Sequence, residues 1–111
     1  MVAKHQTPVL SLIIPTYNEA KNIEILIPRL AKVLAKIPHE IIIADDNSPD
    51  KTYDTALHLR KKFPQLRASC RTHNRGLSPA VIDGFQIAEG KYLAVMDADL
   101  QHDESILPDM F

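Results

Sequence analysis

Residues 91 to 104 read KYLAVMDADLQHDE, from Lys91 to Glu104, an apolar run that breaks abruptly into acid. Tyr92 to Met96 have the length and bounds of a short buried strand, with Gly90 before them and charge after. Asp97 and Asp99 then stand at the carboxyl end of that strand. Residues two apart on extended backbone point the same way, so strand geometry continued through Ala98 turns both carboxylates to one spot, with the Gln101 side-chain carbonyl near it. Two carboxylates and an amide oxygen suit Mg2+ or Mn2+, hard cations that keep waters and take further ligands from phosphates. Acids at a strand end are also often just solvated, or cap the next helix, so the chain upstream has to decide.

Upstream, Val9 to Ile14 form an apolar strand ended by Pro15, which cannot donate to a ladder and suits the last strand position. Asn18 is placed to cap a helix whose apolar positions Ile23, Leu26, Ile27, Leu30, Leu34 and Ile37 recur at helical spacing. Pro28 inside that pattern predicts a kink or break near Ile27. Glu40 to Ala44 is a second strand, running into Asp45, Asp46, Asn47, Ser48, Pro49 and Asp50. Ser48 with Pro49 reads as the cap and first residue of a second helix, with Tyr53, Ala56, Leu57 and Arg60 along one side, ending before Pro64. Leu66 to Cys70 is a weaker strand. Ser78 and Pro79 repeat the cap-plus-proline start for a helix through Glu89, with Val81, Phe85 and Ala88 on one face and Gly90 as its C-cap. The order βαβαβαβ predicts an α/β fold with a Rossmann-like, mostly parallel sheet and right-handed crossovers. Such sheets bind ligands outside the carboxyl ends of their strands, where Thr16 to Glu19, Asp45 to Asp50 and Asp97 to Gln101 all fall. A merely solvated rim would mix Lys, Ser and Glu, whereas carboxylates occur in all three segments.

The composition narrows the class of partner. The 111 residues are 45% hydrophobic and 24% charged, as in an ordinary globular domain with a core, and carry no internal repeat or low-complexity segment. A net charge of −1, from 13 basic and 14 acidic residues, supplies no footprint for nucleic acid and no polybasic membrane anchor. The single cysteine, Cys70, reads as a reduced core thiol and excludes an internal disulfide or a multi-cysteine zinc site. No apolar run approaches the roughly 20 residues needed to span a bilayer, and the first ten residues lack the apolar region of a signal peptide. The expected location is cytoplasmic, at the face of a membrane if the acceptor considered below applies.

Four segments in this order and spacing, LSLIIPTYNEAKNI, EIIIADDNSPDKT, NRGLSPAVIDGF and KYLAVMDADLQHDE, resemble the amino-terminal half of family 2 glycosyltransferases of GT-A fold. The branch most similar is the dolichol- or polyprenol-phosphate mannosyltransferases. The resemblance implies that Pro15, Tyr17 and Glu19 line a nucleotide pocket and that Asp46, with Ala44 beside it, contacts the base. It implies that Asp97, Ala98 and Asp99 hold the divalent metal and the donor diphosphate, with Asp97 and Asp99 catalytic and Gln101 a further metal ligand. Two departures are visible: Ala44 stands where a larger aliphatic residue is common, and LSPAV, at Ser78, replaces a frequent L-G-x-A-Y.

The implied reaction is inverting transfer of a sugar from GDP-mannose or a UDP-sugar to a polyprenyl or dolichyl phosphate. A divalent cation at Asp97 and Asp99 would offset the charge growing on the departing diphosphate, and an acceptor phosphate, already anionic, needs no dedicated base. His102 reads as solvated at a helix start, Asp103 and Glu104 as first-turn acids, and Arg71 and Arg75 as loop residues within reach of a diphosphate. A complete domain of this kind is expected to be longer, so residues 1–111 read as its nucleotide-sugar-binding part, truncated at the carboxyl end. Two alternatives stay open: a nucleotide-diphosphate-binding fragment without turnover, and a phospho-acceptor receiver-like switch. The receiver needs later strands carrying a hydroxyl residue and a lysine, and has no use for the LIIPTYNE strand. The sugar, base, acceptor and oligomeric state are not legible.

Overall fold

The computed structural model describes residues 8–46, 48–70 and 84–98. Its elements are β1 (Leu10–Thr16), α1 (Ala20–Val33), β2 (His39–Asp45), α2 (Thr52–Leu59), β3 (Leu66–Cys70) and β4 (Tyr92–Val95), with a helical stretch at residues 84–87. The strands form one sheet in the order β3-β2-β1-β4, every neighbouring pair parallel. The α/β, Rossmann-like fold expected from the alternation is therefore present.

Strand alternation divides the side chains between two faces. On one face Leu10, Leu12, Ile14, Ile41, Ile43 and Leu66 pack with Ile23, Leu26, Ile27 and Leu30 of α1 and Ala56 of α2. The other face carries Ile13, Ile42 and Ala44, covered by Ile87 and Ala88. A sheet covered on both faces needs apolar residues at consecutive positions, which is why β1 and β2 read as unbroken apolar runs.

Several local expectations change. β1 runs through Pro15 to Thr16. The carbonyls of Val9 and Ile13 accept the N–H groups of Tyr92 and Met96, so odd-numbered residues of β1 turn their backbone groups toward β4. Pro15 also faces that side, one position beyond Ile14 and past the last β4 partner, Val95 opposite Ile13, so its missing donor costs no ladder bond. Helix α1 likewise passes through Pro28 without interruption. An interior proline costs about 3 kcal/mol. Burying Ile23, Leu26, Ile27 and Leu30 contributes roughly 1.5–3 kcal/mol each, which outweighs it.

The start of each helix is also displaced. Glu19, not Asn18, is the N-cap of α1, and Asn18 adopts φ 56°. Helix α2 begins at Thr52 rather than at Pro49, after Lys51 at φ 67°. Its buried residues are Thr52 and Ala56, with Leu59 packed against the core, whereas Leu57 is exposed. Phe85 is exposed as well, whereas Ala88, on the predicted face, meets the sheet together with Ile87. Cys70, at the end of β3, is exposed rather than in the core. Ser78, Pro79 and Val81, the predicted start of the last helix, lie outside the described residues.

At the amino ends of the strands a polar cluster fastens residues 87–90 to the second face. Glu40, almost fully buried, accepts the Ser11 hydroxyl at 2.6 Å, the Glu89 N–H at 2.6 Å and Arg67 Nη1 at 2.8 Å. Arg67 Nη1 also donates to the Ile87 carbonyl at 2.7 Å, and the Gly90 N–H donates to Ser11 Oγ at 2.7 Å. Gly90 is not a left-handed helix cap: the helical stretch ends three residues earlier. Its lack of a side chain serves a close approach, since a Cβ there would lie 2.5 Å from Ser11 Oγ and 2.6 Å from Ser11 N.

Candidate functional site

Strand order reverses beside β1: the chain moves outward through β2 and β3, then returns to add β4 on the opposite flank. A crevice at such a switch point, outside the carboxyl ends, is where open α/β sheets take ligands. The segments that follow β1 and β2 are hydrogen-bonded to each other there, and Asp97 follows β4 at the same end of the sheet; of the predicted third segment, residues 99–101 lie outside the described residues. Asp46 and Asp97 thus stand at the same end of the sheet, after strands that flank β1 on either side.

The first two segments are stitched together by a carboxylate that sequence reasoning passed over. Asp45 is fully buried; its Oδ1 accepts the hydroxyls of Thr16 at 2.7 Å and Ser48 at 2.6 Å, and its Oδ2 accepts the Ser48 N–H at 2.9 Å. A buried carboxylate requires such donors, and recruiting Ser48 removes it from the helix-capping role that the Ser-Pro pair suggested. Ser48 Oγ in turn accepts the Asn18 N–H at 2.8 Å. Glu19 N–H donates to Thr52 Oγ1 at 3.0 Å and Ala20 N–H to Asp50 Oδ2 at 3.2 Å. Three successive donors at the start of α1 are thereby satisfied from the β2–α2 loop and the first residue of α2, a substitute for a local cap. Asp50 Oδ1 accepts the Thr52 N–H at 3.1 Å and also the Thr52 hydroxyl, an Asx turn that opens α2. The available signal was the adjacent acid pair itself, because neighbours on a strand face opposite ways and two acids at its end take different environments.

The residues proposed to line the pocket separate by exposure. Pro15 and Ala44 are register partners and both buried, so they lie in the sheet beneath the rim. Tyr17 is 45% exposed. Glu19 and Asp46 are half-buried; Glu19 Oε2 accepts the Asn22 side-chain amide at 2.7 Å, and the Asp46 N–H donates to the Thr16 carbonyl at 3.0 Å. Past β4, Met96 and Ala98 are buried and Asp97 between them is exposed. That alternation leaves Asp97 exposed at the rim, a position from which a carboxylate can reach a hard cation. Asp99, Gln101, His102, Asp103, Glu104, Arg71 and Arg75 lie outside the described residues. Among the described residues no three His, Cys, Asp or Glu side chains form a metal-holding group. A single exposed carboxylate such as Asp97 is compatible with a hard cation that takes most of its ligands from phosphate and water.

Comparison with known proteins agrees with this geometry. The family model for glycosyl transferase family 2 matches residues 11–111. A dolichol-phosphate mannosyltransferase of Pyrococcus furiosus is 47% identical over 98 residues, 88% of this chain and 28% of that protein. Dolichol-phosphate mannosyltransferases of Mycosarcoma maydis and Saccharomyces cerevisiae are 39% and 42% identical, over 94% and 91% of this chain and 37% and 39% of their own lengths. The chain thus spans between 28% and 39% of these relatives. Among solved structures, the mannosyltransferase PcManGT from Pyrobaculum calidifontis in complex with GDP-Man and Mn2+ superposes with TM-score 0.68 at 27% identity, over 85% of this chain and 28% of that one. Mannosyl-3-phosphoglycerate synthase from Rubrobacter xylanophilus, TM-score 0.72 at 17% identity over 86% of this chain and 32% of its own, shares the fold. The chain belongs to glycosyl transferase family 2.

Proposed function

We propose that this chain supplies the donor-binding part of a transferase that moves mannose from GDP-mannose to a polyprenyl or dolichyl phosphate with the help of Mg2+ or Mn2+. The observation that carries the proposal is the joining of the Thr16–Glu19 segment to Asp45, Ser48, Asp50 and Thr52 at the switch point beside β1, with an exposed Asp97 after β4 at the same end of the sheet. The names of the relatives support the acceptor, and the GDP-Man and Mn2+ bound to the Pyrobaculum mannosyltransferase support the donor and a divalent cation.

In this mechanism Tyr17, Glu19 and Asp46 would engage the nucleoside, while Asp97, with Asp99 and Gln101, would hold the cation and the diphosphate. A divalent cation bound there would offset the charge that develops on the diphosphate as the bond to the sugar breaks. An oxygen of the acceptor phosphate forms the new bond to the anomeric carbon, and GDP leaves with the bonding pair. Because that oxygen is already anionic, no side chain has to remove a proton. The hydrogen bonds from Asn18, Glu19 and Ala20 to the β2–α2 loop and the first residue of α2 hold two of the three segments in place before substrate arrives, which is where preorganisation has its value.

The test is calorimetric titration of GDP-mannose and UDP-glucose with and without Mn2+, followed by transfer of labelled mannose to a polyprenyl phosphate by the full-length protein containing this chain. Metal-dependent binding with preference for GDP-mannose, and label in the lipid fraction, are expected. Binding indifferent to metal, or preference for UDP-glucose, would refute the assignment.

A further inference from the structure

We propose that Ser11 and Glu40, at the end of the sheet remote from the rim, set the register of β4 on β1 and so fix where Asp97 stands. Both are positioning residues. The stretch at residues 84–90 runs down the second face of β1: a Cβ at Gly84 would lie 2.6 Å from Ile13 Cγ2, and one at Gly90 would lie 2.5 Å from Ser11 Oγ. The chain then turns and climbs as β4, from Tyr92 opposite Leu10 to Val95 opposite Ile13. One residue, Lys91, separates the Gly90 contact from the strand, so there is no slack to absorb a change of register.

Alternation alone leaves part of that register undecided. A slip of one residue would turn Ala94 and Met96 out of the core, which their packing forbids. A slip of two keeps every side chain on its own face and is not resisted by the pattern. Leu93 and Val95, the β4 residues on the second face, are about half exposed and anchor little. What resists that slip is the Gly90 contact. Any other residue placed over Ser11, whether Ala88 or Tyr92 after a shift of two, brings a Cβ into space where atoms stand 2.5, 2.6 and 2.8 Å away. Glu40 holds the approach itself, accepting both the Ser11 hydroxyl and the Glu89 N–H, and it is steadied by Arg67 of β3. A shift of two residues would carry Asp97 about 7 Å along the strand direction, far outside metal-ligand tolerance.

The register claim stands on these contacts; its consequence for Asp97 rests on the functional reading above. The test uses the 111-residue chain with Ser11→Ala and, separately, Glu40→Gln. Amide exchange is followed at Tyr92 and Met96, which donate to the Val9 and Ile13 carbonyls, relative to Ile41, which donates to Gln65. Mn2+ alone is titrated by electron paramagnetic resonance. In Ser11→Ala, exchange at Tyr92 and Met96 should accelerate about tenfold or more relative to Ile41, and Mn2+ affinity should fall about threefold or more, with smaller changes in the same direction for Glu40→Gln. Acceleration confined to Glu89 and Gly90 would overturn the proposal, leaving a merely structural clamp. Faster exchange along β4 with unchanged Mn2+ affinity would overturn the link to Asp97. Should Ser11→Ala lose Ile41 protection as well, the same ratio in Glu40→Gln decides. A wild-type chain that binds no Mn2+ would sink the metal assignment, while the exchange ratio still decides the register.

Discussion

Thr16 and Asp45 are register partners at the carboxyl ends of β1 and β2, and the Thr16 hydroxyl donates to Asp45 Oδ1 at 2.7 Å across the strand pair. The same carboxylate holds Ser48, and Ser48 holds the backbone of Asn18. Asp45 is thus the support of the rim, placed directly before Asp46, which we propose contacts the base. Replacing it by alanine strands the buried Thr16 hydroxyl and frees the β2–α2 loop. Asp45→Ala should lower stability by about 1–3 kcal/mol in urea unfolding, and weaken nucleotide binding through the loosened loop. A loss under about 0.5 kcal/mol, the range of ordinary surface changes, would show that the network contributes little.

Asp97 should behave in the opposite way. Its side chain is exposed, so Asp97→Asn keeps shape and leaves stability within about 0.5 kcal/mol. Removing its charge, or that of Asp99, from a hard-cation site should weaken Mn2+-dependent binding of a nucleoside diphosphate about tenfold or more. Calorimetry at matched metal concentration checks this, and unchanged affinity in both variants would make the two aspartates bystanders.

Gly84 touches Ile13 so closely that an added methyl group has no room, with Ile13 Cγ2 and Cγ1 at 2.6 and 2.9 Å from its position. Gly84→Ala should therefore cost about 1–3 kcal/mol by overpacking. In an Ile13→Ala background the contact is gone and most of that cost should vanish. The coupling read from a double-mutant cycle is the measurement; additive losses would mean that the contact with Ile13 does not govern the position.

The Glu40 cluster predicts a dependence on pH. Burial, the strongest influence, pushes the Glu40 carboxyl up, but the Ser11 hydroxyl, the Glu89 N–H and the Arg67 side chain together hold it below its ordinary value. A carboxyl depressed in the folded state contributes stability that is present above the unfolded value, about 4.3, and is lost as pH falls through the folded one. The charged groups facing it are Arg67 and, through Arg67, Glu89. The gap in urea midpoint between wild type and Glu40→Gln should be wide at neutral pH and close below about pH 4. A gap that widens on acidification would contradict the sign.

Much of this protein was legible in the chain because burial writes a local pattern. Unbroken apolar runs in β1 and β2 signal a sheet covered on both faces, helical spacing picks out Ile23, Leu26, Ile27 and Leu30, and the βα order implies parallel pairing with polar segments on one rim. Tyr17, Glu19, Asp46 and Asp97 stand at the strand ends where their place in the sequence put them. Only the tertiary structure decided the rest, because it depends on partners distant in sequence. Ser48 does not open α2, because its hydroxyl bridges Asp45 and the Asn18 N–H instead; α1 crosses Pro28 because four buried side chains outweigh one lost bond; Leu57 and Phe85 face solvent because Thr52 and Ile87, beside the expected Ala56 and Ala88, face the sheet. Glu40, read as the start of a strand, gathers Ser11, Arg67 and Glu89 from three other parts of the chain. A single strand's sequence shows which way each side chain turns, but the identity of the group it meets is set by the register of its neighbours, and register is a property of the assembled sheet.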